Sequence, residues 1–136
     1  MGKWKRFLSG IPVWMFTGVV VLAILWLTLA PKPLGEEPPR LFPGADKIVH
    51  AIMFGGLTIT LLFDWQRQHR WGKVGWFLAL GCAASASLFG IIIEYAQDYM
   101  GLGRGFEYHD IIADTVGSFI FGSLYVLIQN FWLTKS

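Results

Sequence analysis

The sequence predicts an all-α integral membrane protein, a single domain over residues 1–136 in which four transmembrane helices form a bundle. Hydrophobic residues make up 54% of the 136 residues and charged residues only 15%, which is typical of chains that lie in a bilayer. Four apolar segments each approach or exceed the roughly 20 residues that a helix needs to cross the hydrocarbon layer. Helices are expected because hydrocarbon offers no partners to unpaired backbone groups.

The first predicted helix covers residues 11–30 and contains no charged residue. Its apolar part exceeds the roughly 7 to 15 residues of a signal-peptide core, so we interpret it as a retained anchor. The segment that follows, residues 31–45, contains five prolines. Proline removes a backbone donor and interrupts helices, so this segment is predicted to be an irregular connector.

Three further helices are predicted over residues 46–65, 73–97 and 110–133. The basic turn "QRQHRWGK" separates the second helix from the third, and the glycine-rich "MGLGRG" separates the third from the fourth. Both connections are short, so consecutive helices should be antiparallel neighbours.

The distribution of basic residues predicts the orientation. Of the eleven Lys and Arg residues, seven fall on one predicted side: Lys3, Lys5, Arg6, Arg67, Arg70, Lys73 and Lys135. Because Lys and Arg are enriched in cytoplasmic segments, both termini are predicted to be cytoplasmic. The same pattern favours membrane lipids as partners and gives no indication of nucleic-acid binding.

Polar residues that interrupt the apolar helices gather at the opposite, outer end. They are Asp46, Lys47 and His50 in the second helix, Glu94, Gln97 and Asp98 in the third, and Arg104, His109, Asp110 and Asp114 before or in the fourth. Residues three, four or seven positions apart share a helix face. Ionisable groups inside membranes usually face the bundle interior. We therefore expect these faces to converge on a polar pocket that opens outward.

Three short motifs in this order resemble the VanZ-like membrane proteins. They are "DKIVH" at residues 46–50, "EYAQ" at residues 94–97, and Arg104 ahead of "DIIADTVG" at residues 110–117. The resemblance covers residues 46–122 and carries over the family's characteristic positions: Asp46, Lys47, His50, Glu94, Gln97, Arg104, Asp110 and Gly117. Position 114, often asparagine in the family, is Asp114 here.

The resemblance implies a multi-pass protein of a bacterial plasma membrane, because the family's namesake is associated with low-level resistance to the glycopeptide teicoplanin. It does not supply a reaction. We keep three functional classes. The first is a binder of envelope lipid, wall precursor or glycopeptide-type amphiphile. The second is an enzyme that modifies a lipid head group, and the third is a purely structural set of ion pairs.

The enzyme hypothesis assigns His50 as general base, oriented by Asp46 or a neighbouring carboxylate such as Glu94. Lys47 and Arg104 would hold a phosphate. The sequence contains no G-x-S-x-G, H-E-x-x-H or P-loop motif to supply a nucleophile or an activated water.

No cofactor is assigned, and a divalent metal is the alternative to direct charge pairing. Carboxylates with one or two imidazoles, from His50 and His109, are ligands that suit Mg²⁺, Ca²⁺, Mn²⁺ or Zn²⁺. The candidate ligands come from three helices without a motif-defined spacing, so sequence favours charge pairing over a metal.

Overall fold

The computed structural model describes residues 2–30, 44–101 and 106–133, and these ranges are helical throughout apart from short turns. Six helices follow one another: α1 (Lys3–Ser9), α2 (Met15–Leu29), α3 (Ala45–Gln68), α4 (Trp76–Met100), α5 (Tyr108–Ile128) and α6 (Asn130–Leu133). The predicted all-α fold is confirmed. Most of the proline-rich connector lies outside the described residues. Arg104, which precedes the last predicted helix, lies outside them as well.

Four of these helices form the predicted membrane bundle. With 24, 25 and 21 residues, α3, α4 and α5 are each long and apolar enough to cross a bilayer. The apolar α2 has 15 residues and therefore spans about 22 Å of the roughly 30 Å hydrocarbon layer. It packs against α3 and α4 and completes the bundle.

The helix ends differ from the predicted ones mainly near the N-terminus. The first apolar helix begins at Met15 rather than at residue 11, because Trp14 adopts a left-handed φ of 61° that a continuing helix does not accommodate. Lys3–Ser9 forms a separate helix instead. The Lys5 ammonium donates to the Leu133 carbonyl at 3.1 Å, so α1 lies beside the C-terminal end of α6.

Small residues allow the helices to approach closely, α3 and α5 most extensively. A Cβ atom at Gly117 would overlap the backbone of Ala51 on α3. A Cβ atom at Gly90 of α4 would lie 2.6 Å from the Asp114 carboxylate of α5. These glycines therefore let α5 lie against both neighbours, and Gly90 makes room for a charged group.

An apolar core separates the two polar ends of the bundle. Ile24, Phe54, Leu57, Ala86 and Ile93 form one buried group, which joins α2, α3 and α4. A second group lies towards the C-terminal end of α3: Leu62, Val74, Ala79 and Tyr125. These apolar side chains thus separate the polar side chains at one end of α3 from those at the other end.

Candidate functional site: an acidic cluster at one end of the bundle

The N-terminal ends of α3 and α5 meet the C-terminal end of α4, and each contributes charged side chains to one place. We call this set the acidic cluster: Lys47, His50, Glu94, Glu107, Asp110 and Asp114. Carboxylates at the start of α5 suit the positive end of that helix's dipole. The convergence of three helices explains why charges so far apart in sequence lie together.

His50 lies between two aspartates of α5. Its Nδ1 is 2.9 Å from Asp114 Oδ1, a hydrogen bond, and its Nε2 is 3.6 Å from Asp110 Oδ2. When Asp114 is ionised and Nδ1 carries the proton, Nδ1–H donates to Asp114 and Nε2 faces Asp110. The imidazole is therefore oriented by one carboxylate and faces another.

Lys47 is the described cation of the cluster. Its ammonium lies 3.0 Å from Asp46 and 2.5 Å from Asp110, and it also contacts the carboxylate of Glu107. Asp46 and Glu107 are largely exposed, whereas Asp110 is nearly buried. Lys47 thus connects the outer rim of the cluster to its interior.

Glu94 and Asp114 form the deepest part of the cluster, with 0% and 1% of their surface exposed. Glu94 Oε2 accepts a hydrogen bond from the Glu107 backbone N–H at 3.2 Å. Within the described ranges, Glu94 Oε1 and Asp114 Oδ2 are buried without a hydrogen-bond partner. Such groups ordinarily cost about 1 to 3 kcal/mol each, so these two oxygens require an explanation.

The local charge is strongly negative. Among the described residues, the four carboxylates of the acidic cluster and that of Asp46 on its rim lie near the ammonium of Lys47 and the imidazole of His50. The charge excess favours ligands that bring positive charge or hydrogen-bond donors.

An open apolar groove of about 360 Å³ runs between α3 and α5 next to the cluster. Lys47 belongs to both the cluster and the groove. The other lining residues are Ile48, Ala51, His109, Ile112, Ala113 and Val116. A polar site and an apolar surface therefore meet at one residue.

The structure brings together five of the residues predicted for the site, Lys47, His50, Glu94, Asp110 and Asp114. Two others lie differently. Asp46 pairs with Lys47 on the rim, and the residue that contacts His50 is Asp114. Gln97 donates from Nε2 to the Thr28 carbonyl at 2.7 Å, so it ties α4 to the end of α2.

Sequence reasoning did not select Glu107. It precedes the first turn of α5 and lies three positions before Asp110, a spacing that places both side chains near one another. That spacing was the available signal.

The opposite end of the bundle holds a second polar set that the sequence did not single out. Arg67 donates to Asp64 Oδ1 at 2.6 Å and to the carbonyls of Leu8 and Ile11. Asp64 Oδ2 accepts from the Thr17 N–H and hydroxyl, both at 2.8 Å. Trp14 gives α2 no side-chain cap, so Asp64 of α3 serves as that cap.

Two buried glutamines complete this set, which we call the satisfied network: Asp64, Gln66, Arg67, Tyr125 and Gln129. Gln129 Oε1 accepts from the Val74 N–H at 2.7 Å and its Nε2 donates to the Val74 carbonyl at 2.6 Å. The Tyr125 hydroxyl donates to Gln66 Oε1 at 2.6 Å. These bonds fasten the turn between α3 and α4 to the end of α5.

Fold and site together define a multi-helix membrane protein that encloses a buried acid–histidine cluster at one end of its bundle. A family model described as VanZ/LLP1 matches residues 14–129. The chain belongs to this family, and the match extends the resemblance seen in residues 46–122 to include the first apolar helix. Comparison with curated proteins and with solved structures gave no significant match.

Proposed function

We propose that this VanZ-like protein binds an amphiphile of the bacterial cell envelope at the outer face of the plasma membrane. Both termini are cytoplasmic in this proposal, so that the acidic cluster faces outward. The ligand is an envelope lipid, a wall precursor or a glycopeptide-type amphiphile, and its capture contributes to teicoplanin-type resistance.

The observation that carries the proposal is the junction at Lys47 between the acidic cluster and the apolar groove. An amphiphile needs both surfaces, because its head group requires polar partners and its chain requires an apolar wall. Ile48, Ile112 and Val116 provide that wall. The arrangement places head group and chain on adjoining parts of α3 and α5.

The charge of the cluster narrows the type of head group. The unpartnered oxygens of Glu94 and Asp114 are buried, so binding requires the side chains that cover them to move. Amines, amides and hydroxyls of the head group can then donate to these oxygens. An unscreened phosphate would face the five carboxylates. We therefore favour a head group rich in donors, as glycopeptides have, and expect the diphosphate of a lipid-linked wall precursor to make its binding weaker.

Binding to the protein in lipid nanodiscs tests the proposal. The probes are fluorescently labelled teicoplanin and a labelled lipid-linked wall precursor, followed by fluorescence anisotropy. Glu94→Gln removes a charged acceptor while it preserves shape, and such contacts contribute about 1.5 to 3 kcal/mol. We expect the Kd of the bound probe to rise by at least about tenfold.

Asp98→Asn is the matched control, because Asp98 is an exposed acid at the same end of α4 and lies outside the cluster. It removes the same unit of charge and should change the Kd by less than about twofold, the size of a screened surface effect. Equal effects of the two substitutions, or no binding of either probe to the wild type, would contradict the proposal and favour structural ion pairs.

A second candidate function is modification of a lipid head group with His50 as general base. The observation that favours it is the Asp114–His50 hydrogen bond of 2.9 Å, which orients the imidazole as a carboxylate orients a catalytic histidine. The role first considered for Asp46 passes to Asp114. Lys47 and Arg104 would hold the head-group phosphate.

Turnover of labelled envelope lipid in reconstituted vesicles separates the enzyme from the binder. General-base catalysis contributes at least about a hundredfold, so His50→Gln should lower the rate by that factor. If wild type and variant both show background turnover while the probe still binds, the enzyme hypothesis is excluded.

A further inference from the structure

We propose that His50, Glu94 and Asp110 form a binding site for one divalent cation, Mn²⁺ or Zn²⁺. This inference concerns the same cluster but does not depend on capture of an amphiphile. It explains why a membrane protein keeps so many carboxylates together beneath one ammonium group.

The ligand geometry is close to that of a metal site. One ligand atom from each of the three side chains lies within 4.8 Å of the other two. Two ligands on opposite sides of a cation, each at about 2.1 Å, are about 4.2 Å apart. Small side-chain rotations, which move each ligand atom by less than about 1 Å, would bring all three atoms into coordination.

The unpartnered oxygen of Glu94 points independently to a missing positive partner. Glu94 is fully buried, and within the described part of the chain its Oε1 atom makes no hydrogen bond. The Lys47 ammonium contacts Asp46, Glu107 and Asp110, which leaves this oxygen to another group. A cation would supply the charge that the oxygen lacks and remove the cost of its burial.

Each proposed ligand is also held by a neighbour, as metal ligands usually are. Asp114 accepts from His50 Nδ1 and leaves Nε2 for the cation. Lys47 donates to Asp110 Oδ1, and the Glu107 N–H donates to Glu94 Oε2. Carboxylate, imidazole and cation in this order make up a common supporting arrangement around protein-bound metals.

A second acidic group, Asp46, Glu107 and Asp110, also has its oxygen atoms close together. It does not carry a site, because the Lys47 ammonium already contacts all three carboxylates. Asp46 and Glu107 are moreover exposed, so water can solvate them. The buried group with His50 is therefore the better site.

The donor types select the ion. One imidazole nitrogen and two or more carboxylates favour a cation that accepts both nitrogen and oxygen, as Mn²⁺ and Zn²⁺ do. Mg²⁺ and Ca²⁺ prefer oxygen alone. We expect both to bind more weakly than Mn²⁺.

Mn²⁺ itself is the probe that tests the site. Tag-free protein in detergent micelles is titrated with MnCl₂ in the absence of teicoplanin and of wall precursor, and bound Mn²⁺ is counted by electron paramagnetic resonance. We expect one bound ion per chain. Electron spin-echo modulation should show a directly coordinated nitrogen-14 nucleus from the imidazole.

Two substitutions then assign the ligands. His50→Gln should abolish the nitrogen-14 coupling, and Glu94→Gln should weaken Mn²⁺ binding by at least about tenfold, the lower end of losses seen when even supporting residues are removed. Asp98→Asn should leave both signals unchanged. Elution as a single species in size-exclusion chromatography and unaltered thermal unfolding establish that each variant is folded. If His50→Gln does not fold, the result for Glu94→Gln decides the test.

The proposal is overturned if no stoichiometric Mn²⁺ binds, or if Glu94→Gln and Asp98→Asn bind it equally. It is also overturned if the coupling persists in His50→Gln and disappears in His109→Gln. Because the titration contains neither teicoplanin nor wall precursor, failure of either probe to bind leaves the Mn²⁺ result intact, and the converse also holds.

Discussion

The two ends of α3 both bury charge, but they do so in opposite ways. At its C-terminal end, both Asp64 oxygens are engaged, one by Arg67 and one by Thr17. At its N-terminal end, Lys47 and His50 belong to a cluster in which Glu94 Oε1 and Asp114 Oδ2 have no described partner. The polar atoms of Asp64 are all hydrogen-bonded, whereas two buried oxygens of the acidic cluster have no partner among the described residues.

The two ends differ in the groups to which their buried charges bond. The partners of Asp64 and Arg67 include the Thr17 N–H and the carbonyls of Leu8 and Ile11, which are backbone groups on either side of the break before α2. Their function is to make that break tolerable. The acidic cluster repairs no such defect within the described residues, which is the contrast that our ligand-binding proposals address.

The largest effect is expected when the satisfied network is opened at Asp64. Asp64→Ala leaves the Arg67 guanidinium buried without its partner and removes the cap of α2, so we expect a loss of about 3 to 5 kcal/mol in the free energy of unfolding. Unfolding in mixed micelles, followed by tryptophan fluorescence, measures this loss.

The double variant Asp64→Ala/Arg67→Ala serves as the control for Asp64. It should lose less than the sum of the two single losses, because no isolated charge remains. A loss below about 1 kcal/mol for Asp64→Ala, the range of an exposed pair, would show that this end is not closed as described.

A smaller effect is expected at the glutamines. Gln129→Ala deprives the Val74 N–H and carbonyl of their partners, and each unpaired buried group costs about 1 to 3 kcal/mol. We expect a loss in this range by the same unfolding measurement. Gln68→Ala is the matched control, since Gln68 is an exposed amide at the same end of α3, and equal losses for the two variants would contradict the network.

The sequence predicted the helices and the acidic end better than the satisfied network. A spacing of three or four residues placed the polar side chains of each helix on one face. These faces, with His50, Asp110 and Asp114, were expected to meet because intramembrane charges usually face the bundle interior. Gln97 shares such a face but contacts Thr28 of α2. Helical periodicity gives the direction of a side chain and does not identify the neighbour that it meets.

Arg67 illustrates why the satisfied network was missed. A basic residue at the predicted cytoplasmic end of a helix is explained by orientation alone, so this position gives no further reason to single it out. Its spacing of three from Asp64 was a signal of pairing. The break before α2 could have been read from Gly10 and Pro12, but the long-range contacts to Leu8 and Ile11 depend on tertiary packing.

The smallest change in stability is expected for Glu94→Gln. This substitution tests directly whether the acidic cluster differs from the satisfied network at the other end of α3. The substitution keeps the acceptor of the Glu107 N–H, removes one of five mutually repelling carboxylates, and replaces one carboxylate oxygen with an amide that can donate to Asp114 or Asp110. We therefore expect the free energy of unfolding to stay within about 0.5 kcal/mol of the wild type or to rise slightly, as at a site where stability is sacrificed for binding. The same unfolding measurement, made without added metal, teicoplanin or wall precursor, gives this value. If Glu94→Gln instead loses about 3 kcal/mol, as removal of one partner from a buried pair does, the acidic cluster is a closed structural element like the one at the other end of α3. The contrast between the two ends would then disappear.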